Sequence, residues 1–264
     1  MSFSPIAVVT GASSGIGAVY ADRLAKRGYD LVLVARRIER LQVLADSLAG
    51  TYGVKVRPLQ ADLTQEAGLT RIEALLRDED RVSILINNAG SGKLSSTAEM
   101  TAEDTEAMIA LNIIAPTRLA RAVLPSFIER DTGAIINIAS VSAFHVLPVT
   151  TLYSATKSYI LTFSRGLQGE LAGTGVRVQA VLPAATATEF FDNSGVPLSA
   201  LDPTAVMTTE NLVDAALAGY DQGEHVTLPS VHDVGLWVAY DQAQTKIAEA
   251  SQLGAPAPRY AQAF

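Results

Sequence analysis

Thr10-Gly11-Ala12-Ser13-Ser14-Gly15-Ile16-Gly17, following Ile6-Ala7-Val8-Val9, is the stretch on which the fold turns. The four apolar residues ahead of it suit a strand buried on both faces. Behind it, Val19, Leu24 and the intervening alanines recur at helical spacing as far as Gly28, where a helix would stop. A strand, a glycine turn and a helix in that order open a dinucleotide-binding βαβ unit. Gly11 permits the tight turn, Gly15 lets the backbone approach a pyrophosphate, and Gly17 lets helix and strand pack closely. Ser13, Ser14 and Ile16 would line the same cradle. Phosphates would sit at the helix N-terminus, where unpaired N–H groups and the positive dipole end favour an anion. A tight strand–helix turn needs glycine whether or not anything binds, so the motif draws its weight from its position.

Outward from this unit, apolar strand-like runs alternate with helical ones. Strands are expected at Asp30–Ala35, 54–59, 82–86, 134–139, 176–182 and around 225–228. Helices are expected at about 38–49, 64–76, 101–130 (two stretches parted near Ala115-Pro116), 151–172 and 211–220, with an alanine-rich helical stretch beyond. The pattern predicts an α/β fold of the Rossmann-like, doubly wound kind. A seven-stranded, mostly parallel sheet would carry helices on both faces, in a single domain over residues 1–264. Residues 184–207, broken by Pro197 and Pro203 and rich in phenylalanine and aliphatics, would form a lid over the substrate; 254–264 read as a mobile tail.

Composition narrows the function classes. The chain has 264 residues, 48% of them hydrophobic, and a mean hydropathy of +0.23, enough for a sheet buried on both faces. A net charge of −7 and a pI near 5.0 argue against a nucleic-acid surface, which needs a basic stripe. No apolar run reads as a membrane span, and Met1-Ser2-Phe3-Ser4-Pro5 lacks the features of a signal peptide, so a cytoplasmic protein is expected. With no cysteine, and with His145, His225 and His232 scattered, no metal site is expected.

Chemistry enters with Tyr153-Ser154-Ala155-Thr156-Lys157 and Ser140 upstream. Tyr153 and Lys157, at i and i+4, project from one helix face. Ser140 closes the fifth expected strand, at the carboxyl edge where open α/β sheets bind ligands. A phenol with an ordinary pKa of about 10 is a poor base, and a neighbouring ammonium would favour its phenolate. A partly exposed tyrosine and a solvated lysine on an ordinary helix would give the same local pattern.

Thr10–Gly17, Asn87–Gly90, Asn112, Ser140, Tyr153, Lys157 and Pro183 occur in that order, and in this the sequence resembles the short-chain dehydrogenase/reductase family in its compact single-domain form, over roughly residues 5 to 230. The resemblance implies that Tyr153 exchanges a proton with the carbonyl or alcohol oxygen, that Ser140 hydrogen-bonds that oxygen, and that Lys157 lowers the tyrosine pKa while holding the nicotinamide ribose. Asn112 would position a water in a proton relay, although a buried asparagine can simply satisfy backbone groups. Asn88, Ala89 and Gly90 would lie along the ribose, mostly through backbone. Asp62, followed by Leu63, would take the adenine amino group, or cap the next helix. Pro183 closes the sixth strand; Ala184 replaces the family's usual glycine, and Thr188 would touch the carboxamide.

Arg36 and Arg37 follow the second strand, with no acidic residue until Glu39. An acid at this place takes a ribose 2′-hydroxyl and arginine accommodates a 2′-phosphate, so NADP(H) is expected rather than NAD. The lid composition, with Phe144 to Leu147 and no Arg or Lys between Arg177 and Lys246, points to a ketone, aldehyde or secondary alcohol of low charge. Two alternatives stay open: a carrier-linked 3-oxoacyl reductase, with Arg118, Arg121 and Arg130 as a docking patch, and a non-catalytic NADP-binding sensor. The resemblance also implies a homodimer or homotetramer; Ala155, Tyr159, Thr162, Gly166 and Gly169 would give the second long helix a mostly small outer face.

Overall fold

The computed structural model describes residues 4–260, the side chain of Asn193 apart; the first three residues of the leader reading and residues 261–264 of the expected tail lie outside them. The chain divides into two compact units, one ending at Pro229 and one beginning at Ser230. The first unit holds β1 (Ile6–Thr10), α1 (Gly15–Lys26), β2 (Asp30–Ala35), α2 (Ile38–Tyr52), β3 (Val56–Gln60), α3 (Glu66–Asp78), β4 (Val82–Asn87), α4 (Ala102–Ile109) and α5 (Ala115–Glu129). It continues through β5 (Gly133–Ile138), α6 (Thr151–Glu170), β6 (Val176–Val181), the short α7 (Phe190–Ser194), α8 (Thr209–Asp221) and β7 (Val226–Thr227). In the second unit lies one long helix, α9 (Gly235–Ala250), and a single-turn 3-10 helix at Pro258–Tyr260.

The seven strands run in the order β3-β2-β1-β4-β5-β6-β7, and every ladder is parallel. Side chains alternate across each strand, so Val8 goes to one face while Ala7 and Val9 go to the other. One face is covered by α1, α2 and α8 through Tyr20, Leu24, Leu41, Leu48, Leu212 and Leu217. The opposite face is covered by α3, α5 and α6 through Ile72, Leu76, Leu119, Val123, Phe127 and Leu167. The strand order reverses direction between β1 and β4, and a parallel sheet opens a crevice beyond the carboxyl ends at such a point.

The break expected near Ala115-Pro116 is a π-helical turn, Ala110–Ile114, joining α4 to α5. Pro116 has no N–H to continue the ordinary ladder, and Ala115 N–H reaches back five residues to the Ala110 carbonyl. The continuous run Ala102–Glu129 is long and apolar enough to span a bilayer, which corrects the expectation that no such run exists. Its apolar stripe is spent on the sheet: Leu119, Val123 and Phe127 are all at or below 1% exposure.

Phe127 seats its ring against Gly133, whose φ of +150° and missing Cβ let β5 begin directly under it. Phe127→Ala should therefore lower the unfolding free energy by about 3–5 kcal/mol in urea denaturation, the range for an emptied aromatic site. A loss under about 1 kcal/mol would show that α5 is not clamped there.

Candidate active site

The glycine turn after β1 is built as the sequence suggested, with one added part. Gly11 and Gly15 have φ of +66° and +56°. A Cβ on Gly17 would fall against the Gly11 carbonyl oxygen, so this glycine lets the helix begin beneath its own turn. The added part is Asn88, expected along the ribose through its backbone. Its side-chain amide donates instead to the Thr10 carbonyl (2.8 Å) and the Gly11 carbonyl (3.3 Å). Thr10 Oγ1 accepts the N–H groups of Asn88 and Ala89, both at 3.0 Å, and donates to the Ile86 carbonyl. The ends of β1 and β4 are thus stitched together, and the Asn88 and Ala89 N–H groups are committed inside the protein. Ile16 packs half-buried on the α1 side of the core.

Next along β4, a Cβ on Gly90 would stand 3.3 Å from Asn112 Oδ1 and 3.6 Å from Lys157 Nζ, which places three predicted site residues side by side. Asn112 lies on the π turn, 2% exposed, with every side-chain function engaged. Its Nδ2 donates to the Ser91 carbonyl (2.8 Å) and Thr156 Oγ1 (3.0 Å), and its Oδ1 accepts Ser91 N–H (2.9 Å). Its amide therefore braces the loop after β4 against α6, as the backbone-satisfying alternative anticipated.

Ser140 follows β5, and its Oγ accepts Ser142 N–H at 3.1 Å. The Pro183 carbonyl holds this turn by accepting Val141 N–H (2.9 Å) and lies 3.4 Å from Ser140 Oγ. Ser158 on α6 donates to the Ala143 carbonyl, tying the serine turn to the tyrosine helix. Burial pushes the Tyr153 phenol up to about 12, against a lowering effect from the nearby Ser140 hydroxyl. Lys157 Nζ donates to the Ile138 carbonyl at 2.8 Å and stands 5.7 Å from the Tyr153 ring centre. The ammonium is itself brought down to about 8 by burial.

At the end of β2, Arg37 turns to the glycine turn, donating to Ser13 Oγ (3.0 Å) and Ser14 Oγ (2.8 Å). Its Nη1 pairs with Glu189 at 2.7 Å, and Arg40 reaches the other oxygen of the same carboxylate. Two guanidinium groups so hold one carboxylate beside the helix N-terminus, with the Ser13 and Ser14 hydroxyls on the Arg37 side, and these residues suit an anion bound there. Arg36 is exposed, and among the described residues only its carbonyl is engaged, by Gln60. Asp62 spends one oxygen on Thr64 N–H and hydroxyl (2.9 and 2.7 Å), a turn ahead of α3 rather than the helix cap, while Leu63 is buried in the core.

The lid crosses the site. Thr188 lies over the glycine turn, its Cγ2 at 3.2 Å from where a Gly15 Cβ would stand, and Phe190 packs 5.4 Å from the Tyr153 ring. A cavity of about 350 Å³ opens instead at the other edge of the sheet, between the end of α6 and the start of β6, away from these residues. Phe190 is one of the lid phenylalanines that the sequence placed over the substrate, whereas Arg40 and Glu189 were not marked. Arg40, one helical turn beyond Arg37, left a signal in its spacing; Glu189 left none.

A family model described as short chain dehydrogenase matches residues 5–196. Among solved structures, a short-chain dehydrogenase from Sphingobium yanoikuyae in complex with NADPH superposes with a TM-score of 0.93 at 47% identity, over 97% of this chain and all of that one. A bulky-bulky ketone specific alcohol dehydrogenase from Comamonas testosteroni gives 0.89 at 42% identity, over 97% and 98%. Among relatives in sequence, a very-long-chain 3-oxoacyl-CoA reductase of Danio rerio is 34% identical over 80% of this chain and 67% of its own length.

Lys157 carries a pH signature. Between about pH 8 and the ordinary lysine range the unfolded chain holds a proton that the folded chain has released, so stability rises with pH across that window. Lys157→Met should abolish a rise on the order of 3 kcal/mol, read as the difference between parent and variant in urea melts at pH 7.5 and 10. Parallel pH profiles for the two proteins would mean that the ammonium is not desolvated.

Proposed function

From the premise that this chain belongs to the short-chain dehydrogenase/reductase family of oxidoreductases, we propose that it reduces a ketone with two bulky apolar substituents, using NADPH, with Tyr153 as the proton donor. The observation that carries this reading is the gathering of Ser140, Tyr153 and Lys157 at the carboxyl edge of the sheet, beside the glycine turn.

A nicotinamide dinucleotide, when bound, supplies hydride. The rest is the work of this chain. Gly11, Gly15 and Gly17 leave the backbone clear for a pyrophosphate, and Arg37 with Ser13 and Ser14 offers the donors for a 2′-phosphate. The half-buried phenol keeps its proton at neutral pH and can give it to a carbonyl oxygen as charge develops there. Ser140 steadies the same oxygen, and Lys157, whose amine titrates near 8, is placed to return the proton along the Asn112 side. Asn112 would do this from the backbone of its π turn, since its side chain is committed. Pro183 and Thr188 would meet the nicotinamide end. The bulky apolar substrate is favoured by Phe144, Val146, Leu147 and Val149, exposed after the serine turn, and by Phe190 over the phenol.

A 3-oxoacyl thioester is the second reading, favoured by the printed function of the Danio rerio relative. The carrier docking patch gains little support. Arg118 is bonded to Glu66 and Glu73, and Arg130 to the Val82 and Ser126 carbonyls, which leaves Arg121 exposed. The reading extends to a cytoplasmic homo-oligomer joined through α6, whose small outer residues are exposed.

Tyr153→Phe should lower kcat by about 10²–10⁴-fold while NADPH affinity, read by fluorescence titration, stays within about twofold of the parent. Full turnover in this variant would remove Tyr153 from the chemistry; a parent that binds NADPH but turns over no ketone or 3-oxoacyl substrate would favour the sensor. In steady-state kinetics kcat/KM should favour NADPH over NADH by at least about tenfold, one charge-assisted contact being worth that much. Equal or better kcat/KM with NADH would overturn the cofactor reading.

A further inference from the structure

The lid contributes two adjacent residues to two different parts of the site. Its base is fixed where Ala187 N–H donates to the Met207 carbonyl and Met207 N–H to the Ala185 carbonyl, both at 2.9 Å. Beyond that clasp the chain passes over the glycine turn at Thr188 and enters α7. Glu189 then places its carboxylate between two guanidinium groups, 2.7 Å from Arg37 Nη1 and 2.5 Å from Arg40 Nη1. Four hydrogen bonds hold Arg37 in this arrangement, its Nε and Nη2 donors resting on Ser13 and Ser14. Immediately afterwards Phe190 lays its ring on Gly92 and beside the Tyr153 ring, the two ring centres 5.4 Å apart.

Arg37 Nη1 and Arg40 Nη1 are both engaged on Glu189, so a phosphate that took those same N–H groups would displace its carboxylate. The Glu189 carboxylate thus stands where the cation cluster would otherwise receive a phosphate, and Phe190 is carried by the very next peptide.

We propose that Glu189 is an internal mimic of the cofactor's 2′-phosphate that latches the lid shut, and that displacement of its carboxylate by that phosphate lifts Phe190 away from Tyr153. This rests on the NADP(H) reading and makes Glu189 a specificity-determining residue. A dinucleotide lacking the 2′-phosphate has nothing with which to release the latch. The carboxyl group is held well below its ordinary value, to about 2, by its hydrogen bonds to Arg40 and Arg37, so the mimic stays charged throughout the working pH range. The incoming phosphate gains its second charge above about pH 6, so displacement strengthens as pH rises past that point.

The test uses 2′,5′-ADP, which carries the 2′-phosphate, and 5′-AMP, which does not, with the full chain and Glu189→Gln. Calorimetry should show 2′,5′-ADP binding the variant about 5- to 10-fold more tightly than the parent, with 5′-AMP affinity unchanged. Amide hydrogen exchange over residues 186–207 should rise in the parent on adding 2′,5′-ADP; in the variant it should be fast already and insensitive to the ligand. If the parent prefers 2′,5′-ADP but Glu189→Gln leaves its affinity unchanged, or exchange in the parent lid falls on binding, the latch is refuted while the cofactor reading stands. If the parent binds 2′,5′-ADP no more tightly than 5′-AMP, the cofactor reading fails and the latch falls with it.

Discussion

Thr10 and Asn88 tie the carboxyl ends of β1 and β4 at the point where the strand order reverses, and the rest of the site depends on that junction. One hydroxyl accepts two backbone N–H groups and one amide donates to two carbonyls. These are buried or half-buried backbone groups at the end of a sheet, where leaving any of them unpaired costs about 1–3 kcal/mol. The same bonds fix the glycine turn relative to Gly90, and through Gly90 relative to Asn112 and Lys157. The glycine turn and the Tyr153–Lys157 pair, the proposed dinucleotide cradle and proton-transfer groups, are thereby held on one edge of one sheet.

The second constraint is dryness. Tyr153 and Lys157 are both desolvated, and the two shifts run in opposite directions: the phenol holds its proton more tightly and the amine more loosely. A lysine ammonium could lower a phenol's pKa from one helical turn away, but this one donates to the Ile138 carbonyl and faces the ring at 5.7 Å. The arrangement suits a proton donor at neutral pH, and the lid contributes to it by laying Phe190 over the phenol.

Much of this was legible in the sequence because it is local. Glycines at 11, 15 and 17, the i, i+4 pair of Tyr153 and Lys157, and the strand-ending Ser140 each announce their place within a few residues. The alternation of apolar runs was enough to anticipate seven strands. What escaped was long-range or competitive. Glu189 meets Arg37 across 152 positions, and no periodicity links them. Arg118 offered itself as a docking charge until Glu66 and Glu73 were seen to hold it. Asn88 was expected along the ribose and Asn112 in a relay, yet their amides are braces, because such an amide goes to whichever backbone groups lack partners. The π turn at Ala110–Ile114 was visible only as a proline-marked break.

The central claim is that this edge of the sheet brings hydride and proton to the two ends of one carbonyl group. Its most direct test is isotopic: incubate the protein with a bulky apolar ketone and NADPH deuterated at the transferring C4 position, and examine the alcohol by mass spectrometry. The account predicts one deuterium, bonded to the carbinol carbon. Alcohol formed without deuterium at that carbon, from either C4-labelled epimer of NADPH, would contradict it.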